Sequence, residues 1–354
     1  MTLDPPYATD PAGMAARVDG IPEQIEDALA RCAAHPWTIA RRMPSVLAVG
    51  AMGGSAIAGD LTAGLYADRI PRPMVVVRDY HWPAFVTREA FALHASYSGA
   101  TEETLSLYRE SVQRGVPRAA ITAGGTLATL CERDQVPWFK LPPGMPPRAA
   151  LFSSWVPLTM LLAALGWCDD PAADWREAAD RLRALRERAG TGVPEARNPA
   201  KQLARALEGR QVIVYSATER MAPVGTRLRQ QLNENAKLPG HSAVVPELNH
   251  NEIVGWERPE SFHRGATVLL LRDSEDSAEN ARRLELTADY ARAQGAEVRT
   301  VESESAGRLA RLAHHVMFGD YVSLYLALAR GVDPSPVASI DAFKQRMAGA
   351  NRGT

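Results

Sequence analysis

Apolar positions fall into short unbroken runs, and most runs give way to a stretch with helical spacing. In "SVLAVGAMGGSAIAGDLTAGLYA" the pattern predicts a buried strand, a glycine turn at 50–56 and a helix of small residues. "PRPMVVVRDY" predicts a second strand, "AFALHASYSGATEETLSLYRESVQRG" a third strand with its helix, and "PRAAITAGG" a fourth strand. Strands alternating with helices in this rhythm form a parallel sheet covered on both faces. Ahead of them, "IPEQIEDALARCAA" sets Ile21, Ile25, Leu29 and Cys32 on one side of a helix, behind an irregular Pro-rich arm at 1–20. "VPWFKLPPGMPPRAALFSSWVPLTMLLAALGW" reads as a Pro-rich loop entering an apolar helix, and "REAADRLRALRERAG" as an amphipathic charged one.

The second half repeats this plan. "QVIVYSATERMAPVGTRLRQQLNENAK" predicts strand, loop and helix, and "SAVVPELNHNEIVGWE" a strand running into a polar loop. "ATVLLLRDSED", "AENARRLELTADYARAQG" and "AEVRTVESE" predict strand, helix and strand. A long helix in "RLARLAHHVMFGDYVSLYLALARG" closes at Gly331, and His314 and His315 within it read as packing or surface residues. Ser335 as N-cap and Pro336 at the first helical position predict a final helix from "SPVASIDAFKQRM". Gly and Pro cluster in 190–202, so we expect an N-terminal α/β domain over 1–189, a linker over 190–202 and a C-terminal α/β domain over 203–354.

Composition narrows the function. Across 354 residues, 46% are hydrophobic and 23% charged, enough for two packed cores. A formal net charge of −1 argues against nucleic acid or an anionic membrane as partner. Cys32, Cys131 and Cys168 lack metal-ligand spacing, and no carboxylate–histidine cluster has it either, so neither a metal nor another cofactor is expected. The opening "MTLDPPYATD" has no basic or apolar leader pattern, and no uninterrupted apolar run nears membrane-spanning length; a cytoplasmic protein is the expectation.

Two strand-to-helix loops carry candidate chemistry. "GAMGGSA" lets backbone approach a ligand at a helix N-terminus, yet it has neither the Gly-Lys-Ser/Thr end of a P-loop nor a G-x-G-x-x-G spacing. Asp79, near the end of the next strand, is the one residue favouring a nucleotide. "SYSGATEET", residues 96–104, holds five hydroxyl-bearing side chains at the equivalent place one unit later. Ser96, Ser98 and Thr101 with helix-start N–H groups would cradle a phosphate without lysine. The competing reading is that these hydroxyls merely cap their own helix.

The pair "GGSA" and "SYSGATEET" resembles the sugar isomerase (SIS) phosphosugar-binding domains. With "NENAKLPGHSAVVPELNHNEIVGWE" and "RGVDPSPVASIDAFK", the chain over roughly 45–345 is similar to the bifunctional phosphoglucose/phosphomannose isomerases. That resemblance implies two SIS-type doubly wound α/β sandwich domains with mostly parallel sheets. It implies phosphate contacts from Gly53, Gly54, Ser55, Ser96, Ser98 and Thr101, and catalytic roles for Arg148, Glu234, His250 and Lys344. It further implies a homodimer in which the partner subunit supplies the histidine. Ala100 and Ala51 depart from the asparagine and glycine expected there.

Aldose–ketose interconversion moves a proton between C1 and C2 through an enediol and needs a base. Glu234 falls near a helix C-terminus, where the dipole favours a protonated carboxyl. His250 suits ring opening near neutral pH, Lys344 assistance at the ring oxygen or a hydroxyl, and Arg148 stabilisation of the enediolate. The expected reaction is glucose-6-phosphate to fructose-6-phosphate, with mannose-6-phosphate open as a second substrate. A non-catalytic phosphosugar sensor, or an SIS isomerase of another sugar phosphate, would also keep the cradle. A nucleotide-dependent oxidoreductase lacks its fingerprint.

Overall fold

The structure, a computed structural model, describes residues 2–39, 43–258 and 261–350. Helices α1 (Met14–Asp19) and α2 (Ile21–Ala34) precede β1 (Leu47–Ala51) and α3 (Gly53–Tyr66). Next come β2 (Met74–Val77), β3 (Phe91–Ser96), α4 (Glu102–Gln113), β4 (Arg118–Thr122), α5 (Gly125–Arg133) and β5 (Trp138–Lys140). Helices α6 (Leu151–Leu165), α7 (Ala172–Ala189) and α8 (Pro199–Leu207) lead to β6 (Gln211–Ala217), α9 (Thr218–Glu234) and β7 (Gly240–Val245). The chain continues through α10 (Ser261–Gly265), β8 (Ala266–Leu271), α11 (Ala278–Ala293), β9 (Glu297–Val301), α12 (Arg308–Ala329) and α13 (Ala338–Ala350).

Two parallel sheets result, ordered β2-β1-β3-β4-β5 and β7-β6-β8-β9. In each, the first strand is flanked by the second and third, so the chain reverses direction at β1/β3 and at β6/β8. Loops leaving such a pair part to opposite faces and open a crevice at the strands' carboxyl ends. The central strands β1, β3 and β8 are buried along their whole length, as expected of a sheet covered on both sides. Between the sheets, α3 packs on α9, and α12 packs on α7, α8 and α9. One apolar core therefore runs through both halves.

The stretch Pro147–Leu165 has the length and mean hydropathy, 1.4, of a membrane-crossing helix, although no apolar run of that length is evident in the pattern. Its window is 78% buried, and Trp155 meets Trp175 of α7 edge-on with centroids 5.0 Å apart. Here it is a core helix. Three other local features differ from expectation. "VPWFK" is not all loop, since its last three residues form the short edge strand β5, preceded by the unforeseen helix α5. No loop separates β6 from α9. The final helix starts at Ala338, so Ser335 does not cap it; residues 334 and 335 offer their carbonyls to Arg148 instead. The 190–202 segment is also fastened to the body: Lys201 is fully buried, donating to Asp4 and to the Thr191 and Val193 carbonyls.

Candidate active site

The crevice at β1/β3 is lined by two helix starts that make no side-chain caps. Met52 precedes α3 and Thr101 precedes α4, and neither side chain accepts from its helix. Thr101 Oγ1 bonds Ser96 Oγ at 2.8 Å instead, and Ser96 Oγ accepts from Gly99 N at 3.1 Å. Ser98, exposed, accepts from Ala100 N at 3.2 Å. Because the hydroxyls bond one another across the loop, first-turn N–H groups stay available to an anion. This weighs against the capping reading.

The loop's shape depends on glycines that sequence reasoning passed over. Gly99 has φ +65°, and a Cβ there would lie 1.7 Å from the Gly124 carbonyl oxygen. Gly125, at φ +69°, would put a Cβ 2.4 Å from the Ser98 oxygen. The turn "AGG" after β4 thus clasps the hydroxyl loop from outside; the adjacent glycines were the available signal. Gly54 meets the next component, with its Cβ position 3.4 Å from the Arg148 Cα.

Arg148 stands on a 3-10 turn, Pro147–Ala150, and only 4% of it is exposed. Its Nε donates to Asn235 Oδ1 at 2.9 Å and its Nη2 to the Pro334 and Ser335 carbonyls at 2.6 and 2.9 Å. Nη1 is left facing Glu234, 3.5 Å from Oε2. Glu234 ends α9 and keeps about a third of its side chain open, at 30%. Burial pulls the Arg148 guanidinium below its ordinary value, the Glu234 carboxylate opposes this, and Arg227 adds to it. So basic a group stays charged.

A buried ion pair sets the height of this arginine. Arg227 of α9 donates to Asp320 of α12 at 2.9 and 3.2 Å and to the Arg148 carbonyl at 2.7 Å. Gln231 donates to the same aspartate at 2.8 Å. Sequence reasoning missed this set, because α9 and α12 reveal it only once they pack.

The structure brings together Gly53, Gly54, Ser55, Arg148 and Glu234, with the Ser96–Thr101 loop on the adjacent strand. It does not bring His250 or Lys344 to them. His250 ends a 3-10 turn after β7, exposed, with no partner among the described residues. Its loop is pinned from within: Glu252 accepts from Tyr215 at 2.6 Å and pairs with His241 at 2.9 Å, and Trp256 donates to the Tyr215 hydroxyl at 3.0 Å. Lys344 lies exposed on α13. Asp79, also exposed, accepts from its neighbour Tyr80. The buried His315 meets the Arg272 carbonyl at 3.0 Å. Among the described residues no three His, Cys, Asp or Glu side chains gather as a metal site.

The model of the family described as bacterial phospho-glucose isomerase C-terminal SIS domain matches residues 196–347. A bifunctional phosphoglucose/phosphomannose isomerase of Caldicellulosiruptor bescii is 39% identical over 297 residues, covering 84% of this chain and 88% of its own length. The chain belongs to the bifunctional phosphoglucose/phosphomannose isomerase family. Its relative from Aquifex aeolicus, which carries the same name, is 32% identical over 298 residues, 84% of this chain and 88% of that protein. Among solved structures, a glucose-6-phosphate isomerase like protein from Thermus thermophilus covers 98% of this chain and 99% of its own, with a TM-score of 0.63. At 20% identity that likeness is one of fold.

Proposed function

We infer that this chain is an aldose–ketose isomerase that interconverts glucose-6-phosphate and fructose-6-phosphate, with mannose-6-phosphate as a second aldose. The observation that carries this is the Arg148–Glu234 pair, held 3.5 Å apart where α9 ends beside the uncapped start of α3. The phosphate sits at the uncapped starts of α3 and α4, held by Gly53, Gly54, Ser55, Ser96, Ser98 and Thr101. With the sugar ring open, the Glu234 carboxylate removes the proton from C1 of the ketose. The C–H electron pair becomes the C1–C2 double bond and the carbonyl pair moves onto O2. Return of the proton to C2, with the O1–H proton passing to O2 as the C1 aldehyde forms, completes the exchange. Arg148 faces the developing oxyanion, where a fixed cation is worth more than in water.

His250 opens the ring, and Lys344 assists, from surfaces a second copy would bring in. His250 is exposed without a partner, and Val254, Phe262, Leu286 and Tyr290 on its loop and nearby helices are 37–56% exposed. That apolar rim supports a homodimer with a composite site, in the cytoplasm, each subunit made of the domains 1–189 and 203–354.

The test is NMR of wild type and Glu234→Gln with fructose-6-phosphate in deuterated water. Wild type should form aldose phosphate labelled at C2, and the variant should lose at least about a thousandfold in both product and label. Saturable binding without turnover by wild type would instead mark a phosphosugar sensor.

A further inference from the structure

Two cations meet the end of α9 at Glu234, and only Arg148, which faces the carboxylate, has been given a role. The other is Lys237, which follows the helix end in "NENAK". Its backbone lies in the left-handed region at φ +53°, unfavourable for a residue with a side chain. The turn folds the side chain back over the end of α9. Its Nζ donates to the Glu234 carbonyl at 2.5 Å and lies 3.4 Å from the Pro334 carbonyl oxygen. That same oxygen accepts from Arg148 Nη2 at 2.6 Å.

Two like charges therefore meet at the Pro334 carbonyl, with Arg148 at the Glu234 carboxylate and Lys237 at the Glu234 carbonyl. Partial burial holds the Lys237 ammonium below the usual lysine value and the Arg148 charge adds to this, against Asp333 and Glu234. Main-chain bonds serve the carbonyls one turn earlier, Asn235 N reaching Gln231 at 2.8 Å and Leu238 N reaching Leu232 at 3.1 Å, so the ammonium meets only the Glu234 and Pro334 carbonyls. A strained backbone and two mutually repelling cations beside an acid are the arrangement an anionic transition state would relieve.

We propose that Lys237 is a catalytic residue of the same subunit as Glu234, its ammonium sharing with Arg148 the negative charge that forms on the substrate oxygen during enolisation. This rests on the isomerase reading above. As Glu234 takes the carbon-bound proton, the carbonyl oxygen becomes an oxyanion, and Lys237 donates a hydrogen bond to it while keeping its own proton. The role is separate from that of Lys344, which stands on α13, away from the Arg148–Glu234 pair in this subunit.

The experiment compares full-length wild type, Lys237→Met, Lys237→Arg and Lys344→Met with fructose-6-phosphate, recording kcat, KM, C2 deuterium incorporation and Tm. For Lys237→Met, kcat and label uptake should fall about 100-fold with KM within about threefold and Tm unchanged, and Lys237→Arg should recover part of the loss. A Lys237→Met enzyme with wild-type kcat and a lowered Tm would overturn the proposal, leaving only a helix cap. A raised KM with intact kcat would overturn it in favour of a phosphate contact. Should Lys237→Met fail to fold, the arginine variant decides by its kcat. Wild type without turnover would overturn the isomerase reading and the lysine with it, whereas an active wild type beside an unaffected Lys237→Met sinks the lysine alone.

Discussion

The two sheets share one strand order over four strands, yet their carboxyl edges are put to opposite uses. At β1/β3 the edge carries neutral hydroxyls, glycines and uncapped helix starts. At β6/β8 the equivalent space is filled by the protein's own charges. Asp273, whose side chain is fully buried, takes Arg311 Nε at 3.1 Å and Arg220 Nη2 at 3.4 Å. Glu275 pairs with Arg311 and, at 2.5 Å, with Arg308. Arg308 also grips Asp68, just past α3, at 2.6 and 3.1 Å, tying this edge to the other half. Even the following helix differs, for α11 is capped by Ser277, which accepts from Asn280 N at 3.2 Å. A crevice that the topology creates twice is kept open once and used once as a rivet between halves. Fold alone did not assign it; the loop residues did.

The comparison breaks most visibly at Gly99. Alanine there meets the Gly124 oxygen and a left-handed backbone, so phosphosugar affinity should fall at least about 100-fold, read by calorimetry. The mirror experiment at the other edge is Asp273→Asn, which leaves Arg311 and Arg220 short of a buried counter-charge. It should cost about 3–5 kcal/mol in denaturant unfolding while KM stays put. If KM rose instead, both edges would be ligand sites. A smaller effect is expected of Ser96→Ala, which removes the hydroxyl joining Thr101 to Gly99 N: KM about tenfold higher, kcat near wild type.

The smallest is a matter of pH. Burial raises Asp276, in the riveted loop, to about 6 from an ordinary 3.8. The folded state thus holds an extra proton between those values, and stability falls as pH rises through that window. Glu275 behaves oppositely: burial opposes ionisation, but Arg308 and Arg311 hold it at about 2, so its contribution is lost only as pH drops below 4.5. Asp276→Asn removes this titration, so its stability relative to wild type should rise between about pH 4 and 6, measured by urea melts in matched buffers. A difference independent of pH would mean Asp276 is ionised throughout.

The sequence by itself determined the fold class and the place of the hydroxyl-rich loop, because both are local. Strand runs, helical spacing and a hydroxyl-rich loop after a strand are set by neighbours within about ten positions. Helix α2 matches its periodic run from Ile21 to Ala34 residue for residue. Where local signal was thin, reading failed: β5 has three residues, and Ser335 and Pro336 looked like a helix start before Arg148 claimed the carbonyls at 334 and 335. Arg148 and Glu234 could be named through family resemblance, but their meeting could not be derived from spacing. They are far apart in sequence and meet only because α3 packs on α9 across the halves, with Arg227, itself held by Asp320 of α12, fixing the Arg148 carbonyl. Lys237 owes its place to a backbone angle at the end of α9, which no periodicity encodes. Local pattern sets where chain elements form; only tertiary packing decides which charges they bring face to face, because desolvation and Coulomb terms act through space.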